Sequence, residues 1–66
     1  MSNYEELMKI GESIRDSGAW CVDLIPEFKN RPIGPLFGTA KTLKLKIELD
    51  LYKLVELITE MEKEYK

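Results

Sequence analysis

The sequence contains no histidine and only one cysteine, Cys21, among its 66 residues. One cysteine cannot form a disulfide within the chain, and one thiolate without histidine cannot make an ordinary zinc site. The missing histidine also removes the usual general base, which excludes the Ser-His and Cys-His pairs of nucleophilic catalysis. We therefore expect a protein that is not an enzyme and that uses no metal and no cofactor. Because the thiol has no second cysteine or flanking base, Trp20 beside Cys21 is interpreted as packing and not as a redox site.

Long apolar segments are missing as well. No run approaches the roughly 20 apolar residues that span a bilayer, and residues 1–17 are charged throughout, without the apolar stretch of a signal peptide. These absences predict a cytoplasmic protein with no membrane partner.

The chain is also short, so its own core must be small. Below about 70–80 residues a single core rarely contributes more than about 3–5 kcal/mol net without a disulfide, a metal or a second subunit. The composition excludes the first two aids. We therefore expect residues 1–66 to form one small domain that is stabilised by homo-oligomerisation, most simply as a homodimer.

Both ends of the chain show helix signals. Ser2 and Glu5 have the spacing of a capping box, which predicts a helix that starts there and ends with Gly18 as its C-terminal cap. From Leu51 onward, apolar residues recur at helical spacing, and Asp50 is a suitable N-cap.

Two segments between these helices are typical of strands. The sequence "AWCVDLI", residues 19–25, is rich in strand formers and stops at Pro26. The sequence "TLKLKIELD", residues 42–50, alternates polar and apolar side chains without exception. The pattern thus predicts an α+β fold, helix-strand-loop-strand-helix, that dimerises by continuing its sheet across the dimer axis.

The alternative is an all-α helical hairpin with one long C-terminal helix starting near Thr39, paired as a dimeric bundle. Leu, Lys and Glu are good helix formers, and no glycine or proline interrupts this part of the chain. In such a helix, however, Leu45 and Leu49 fall on the charged side.

The segment 26–40 is expected to be a loop, because it holds all three prolines and three of the four glycines. It lies in a basic region: residues 28–46 carry five cations and no acid, between segments of net negative charge. The stretch "GPLFGTAKT" within it resembles a phosphate-binding loop only superficially. Its glycine and lysine spacing does not match the G-x-x-x-x-G-K-[ST] pattern, so a nucleotide hydrolase is rejected, and a looser anion site at Gly38, Thr39 and Lys41 is left open.

The basic middle is the candidate functional region, and two hypotheses use it. The first is a small interaction protein, a regulator or inhibitor, that presents this region to an acidic protein surface. The second is a binding protein for a nucleotide-like anion or nucleic acid, with Phe28 and Phe37 stacking on bases. The overall charge of −2 argues against broad duplex binding. The two rings could instead pack onto the core. The candidate residues are Phe28, Lys29, Arg31, Phe37, Gly38, Thr39, Lys41, Lys44 and Lys46.

Overall fold

The chain folds into two long helices that pack side by side and antiparallel. The structure, a computed structural model, describes residues 2–31 and 33–65. Helix α1 spans Asn3–Asn30 and helix α2 spans Gly34–Tyr65. The hairpin measures 52 × 17 × 14 Å, so it is a thin rod two helices wide. Within the described ranges, no helix combines the length and apolar character needed to cross a membrane.

The predicted α+β fold is wrong, and the helical hairpin weighed as its alternative is the structure. Residues 19–25 lie inside α1, residues 42–50 lie inside α2, and the described residues contain no strand. No sheet is therefore present in this part of the chain for a dimer to extend. Alternation misled the prediction because Leu43, Ile47 and Asp50 also follow the three- and four-residue spacing of a packed helix.

The predicted start of α1 is confirmed, but its predicted end is not. The Ser2 hydroxyl oxygen accepts a hydrogen bond from the Glu5 N–H at 3.2 Å, as an N-cap does. The helix continues through Gly18 and ends where the Arg31 N–H donates to the Glu27 carbonyl at 2.9 Å. A glycine cap is only one signal, and packing against a second helix overrides it here.

The segment expected as a loop is mostly helical. Pro26 lies within α1, and Pro35 lies in the first turn of α2. Pro32 lies outside the described residues. Proline at the start of a helix is common, because the N–H that it lacks has no intrahelical partner there. In a helix interior, as at Pro26, a backbone hydrogen bond is lost.

The seam between the helices follows a seven-residue repeat. The buried residues lie seven apart on each helix: Ile10, Ser17 and Leu24 on α1, and Leu43, Asp50 and Leu57 on α2. Such a repeat keeps one stripe of each helix facing the other, as in coiled coils. Only four of these six residues are apolar, so the core of the hairpin alone is small.

A polar cluster interrupts the apolar seam at its middle. The Ser13 hydroxyl donates to Asp50 Oδ2 at 2.6 Å, and Lys46 Nζ donates to the hydroxyls of Ser13 at 2.8 Å and Ser17 at 3.0 Å. Lys46 Nζ also lies 3.7 Å from Asp50 Oδ2. The prediction of Asp50 as an N-cap is therefore wrong: Asp50 lies inside α2, and its carboxylate accepts a hydrogen bond from Ser13 across the hairpin.

Candidate functional site: the basic turn of the hairpin

Most of the candidate residues, but not all, lie at one end of the rod. Phe28 and Lys29 lie in the last turn of α1, and Arg31 is the residue that caps it. Phe37 to Lys41 lie near the start of α2, so all these residues surround the turn. We call this region the turn end. Lys44 and Lys46 lie further along α2.

Phe28 and Phe37 contact each other across the turn. Their ring centroids lie 5.2 Å apart with the planes at 64°, an edge-to-face arrangement that aromatic rings favour. Phe28 is half-buried, whereas Phe37 is 51% exposed. The pair therefore links the two helices and still leaves one ring surface facing outward.

The residues of the possible anion loop are helical. Gly38 and Thr39 belong to α2, and the Thr39 hydroxyl donates to the Pro35 carbonyl at 3.2 Å. The Gly38 carbonyl accepts from the Thr42 hydroxyl at 3.1 Å. The Thr39 hydroxyl hydrogen is thus already used by the backbone of its own helix.

Two of the five cations are held by carboxylates or hydroxyls. Lys44 Nζ lies 3.7 Å from Glu48 Oε1, and Lys46 belongs to the polar cluster of the seam. Lys29, Arg31 and Lys41 are exposed, and their side chains form no ion pair with the residues that the structure describes. These three cations are the ones available to a partner at the turn end.

Folding converts the charge pattern of the sequence into a polarity along the rod. Residues 22–46, the half of the rod that contains the turn end, carry five cations against two carboxylates. Two of these cations, Lys44 and Lys46, lie near the middle of the rod and pair with carboxylates just beyond this range. The described remainder, at the end with the chain termini, carries ten carboxylates against four cations. Charges separated by the 52 Å length of the rod are screened from one another at physiological salt, so each end presents its own sign to solvent.

Sequence reasoning missed the partners of Lys46. Ser13 and Ser17 carried no motif, and Lys46 was assigned to the functional surface. The signal that could have found them is the seven-residue spacing that Ser17 shares with Ile10 and Leu24.

The arrangement has features that suit the binding of an anion or an acidic surface. Exposed cations, a half-open aromatic pair and a helix start without acidic residues can attract negative charge. The chain matches no protein-family model, no curated protein and no solved structure at a significant level.

Proposed function

We propose that the protein is a small non-enzymatic interaction protein, a regulator or inhibitor, that binds an acidic protein surface with its turn end. The observation that supports this most is the unequal distribution of charge along the rod, in which Lys29, Arg31 and Lys41 lie together at one end. Concentrated charge raises the rate of association with an opposite surface and makes binding sensitive to salt. Phe37 would add apolar contact area beside these cations.

A cytoplasmic location is part of this proposal. Cys21 is a free and exposed thiol, which suits a reducing compartment.

The test compares two double charge reversals that change the net charge equally. Lys29→Glu with Lys41→Glu alters the turn end. Lys53→Glu with Lys63→Glu alters the opposite end, and all four lysines are exposed to solvent. Binding to a polyglutamate peptide is measured by fluorescence anisotropy at several salt concentrations. We expect the first variant to bind at least tenfold more weakly at low salt and the second to bind nearly as the parent does. Equal losses of affinity in both variants would contradict the proposal, because binding would then depend on the net charge of the protein and not on where the cations lie.

A second candidate is a site for a nucleotide-like anion. The first turn of α2 carries no acidic side chain, and its backbone N–H groups and the positive end of the helix dipole favour negative charge. Arg31 and Lys41 would supply the cations. ATP and a single-stranded oligothymidylate, measured against the same variants, distinguish the two candidates. If these ligands bind more tightly than polyglutamate does, the anion site is favoured.

A further inference from the structure

The two heptad positions of the seam are buried to different extents. The set that contains Ile10 and Leu57 is buried. The other set is half-buried or exposed throughout, and its members are Leu7, Ile14, Cys21 and Phe28 on α1 and Ala40, Ile47, Leu54 and Met61 on α2. In a pair of helices that is complete by itself, both positions face the partner helix equally. The apolar surface of this hairpin is therefore wider than one partner helix covers.

The uncovered side continues onto a neighbouring stripe of each helix. The stripe on α1 consists of Tyr4, Met8, Gly11, Arg15, Gly18, Val22, Ile25 and Lys29, and the stripe on α2 consists of Phe37, Lys41, Lys44, Glu48, Leu51, Val55, Ile58, Glu62 and Tyr65. Every member of the two stripes lies one residue after, three residues before or four residues after a position of that set, so the two stripes flank the same side of the seam. A groove of about 310 Å³ on this side is lined by Cys21 and Phe28 from α1 and by Lys44 and Glu48 from α2. We call this side the apolar flank.

Exposed apolar side chains concentrate on the apolar flank. Of the fourteen large hydrophobic residues that are exposed among the described residues, nine lie there. The opposite flank, beside Ser13 and Lys46, has only Trp20 and Leu49. Its other exposed positions are mostly charged: Glu6, Lys9, Asp16, Asp23, Glu27, Lys53, Glu56 and Glu60. Exposed apolar side chains that concentrate on one side of a small protein mark a contact surface.

Two glycines leave open space in the middle of this flank. A Cβ atom built on Gly11 or Gly18 would meet nothing within 4 Å. Nothing within the hairpin therefore explains a small residue at either position, although each glycine costs about 1 kcal/mol against alanine in a helix. A neighbouring helix that packs closely on α1 would use that space.

The charges at the centre of the flank indicate which neighbour fits. Ser13 and Ser17 lie opposite Asp50 and Lys46, which places Arg15 and Glu48 level with each other along the rod. Arg15 and Glu48 belong to different helices but lie on the same side of the hairpin. A second copy turned about the long axis of the rod lays its α2 over the first copy's α1, so Arg15 faces the partner's Glu48 in both halves. The other two-fold arrangement, with α1 on α1, would bring Arg15 against Arg15.

We propose that a second copy of this chain packs on the apolar flank with its own apolar flank, turn end beside turn end, to form a four-helix bundle. Every helix then has antiparallel neighbours, as in bundles with short connections. A face 52 Å long and 14–17 Å wide corresponds to about 700–900 Å² on each copy. Stable interfaces bury about 800 Å² per partner, so the flank is large enough. The bundle also brings two turn ends together, and Lys29, Phe37 and Lys41 lie at the edge of the flank, so they belong to both surfaces.

The first experiment locates the interface. Light scattering at micromolar concentration should give twice the chain mass of 7.7 kDa. Val55→Glu should yield a folded monomer, whereas the matched control Leu49→Glu should remain a dimer, because Val55 is 63% and Leu49 62% exposed and only Val55 lies on the flank. Circular dichroism verifies that both variants stay helical. A monomeric parent, or a Val55→Glu variant that remains dimeric, overturns the proposal.

The second experiment tests the orientation. Arg15→Glu and Glu48→Arg should each raise the dissociation constant of the dimer about tenfold or more, and the two together should restore it, since like charges in contact are repulsive. Spin labels on Lys29→Cys in a Cys21→Ala background should lie closer than half of the 52 Å rod length. A label distance near the full length, or no recovery in the double variant, overturns this arrangement. Polyglutamate binding by the Val55→Glu monomer shows separately whether the proposed function of the turn end holds.

Discussion

The Ser13 hydroxyl donates a 2.6 Å hydrogen bond to Asp50 Oδ2 and so joins the two helices at the middle of their seam. Asp50 has a side chain only 12% exposed, and Lys46 lies beside it at 3.7 Å. A buried carboxylate without such partners would be costly, so the three side chains have to be considered together. Because a polar group in a heptad core fits only its own partner, the cluster also favours the observed pairing of α1 with α2 over a shifted one.

Ser13→Ala should destabilise the protein by about 1.5–3 kcal/mol, the range for a hydrogen bond to a charged group that is partly buried. Thr59→Ala is the control, because the Thr59 hydroxyl donates only to the Val55 carbonyl of its own helix at an exposed position. The control should change the free energy of unfolding by no more than about 0.5 kcal/mol. Urea denaturation at one fixed protein concentration measures both. Equal effects would mean that the seam hydrogen bond is absent in solution.

Lys44 and Lys46 offer a matched comparison of two ion pairs. Both pairs join residues four apart at 3.7 Å, but the Asp50 side chain is 12% exposed and the Glu48 side chain 56% exposed. Lys46→Met should cost about 1–3 kcal/mol, because the Asp50 carboxylate loses a charged partner while partly buried. Lys44→Met should cost at most about 0.5 kcal/mol, as exposed helix pairs do. The Val55→Glu background keeps the comparison independent of dimerisation, and a reversed order would contradict the buried cluster.

Leu43 and Leu45 test the helix against the rejected strand. Leu43 is 3% exposed and Leu45 is 59% exposed, although alternation would place both on one face. Leu43→Lys should abolish cooperative folding, while Leu45→Lys should change the free energy of unfolding by less than about 0.5 kcal/mol. Thermal melting followed by circular dichroism gives the result. If Leu45→Lys unfolds the protein, residues 42–50 do not form the helix described here.

The sequence allowed the helix start at Ser2, the long C-terminal helix as an alternative, and the position of the basic region to be predicted. The competing strand arose because Leu45 and Leu49 complete a perfect alternation with Leu43 and Ile47, and neither is buried in the hairpin. Local patterns cannot tell an apolar residue that belongs to a core from one that lies on an open surface. The seven-residue repeat could have decided the question, but Ser17 and Asp50 occupy two of its six buried positions and hide it.

The site could be predicted only as a set of charges. The grouping of Lys29, Arg31 and Lys41 follows from the turn between them, which the loop prediction approximated. The hydrogen bonds of Lys46 within the seam could not be predicted, because they depend on the register between α1 and α2, and Lys46 is far in sequence from Ser13 and Ser17. Lys44 likewise lies close to Glu48 only if residues 42–50 are helical.

Pro26 and Pro35 make the last comparison, since one lies inside α1 and the other in the first turn of α2. Pro26 cannot donate to the Val22 carbonyl, so Pro26→Ala should restore a hydrogen bond and stabilise the protein by about 1–3 kcal/mol. Pro35→Ala should be neutral or should destabilise by less than about 1 kcal/mol, because proline is well suited to a helix start and restricts the unfolded chain. Urea denaturation of both variants at equal protein concentration measures the difference. A destabilising Pro26→Ala would contradict the structure, because it would indicate that α1 is not continuous through Pro26 and ends near Ile25 in solution.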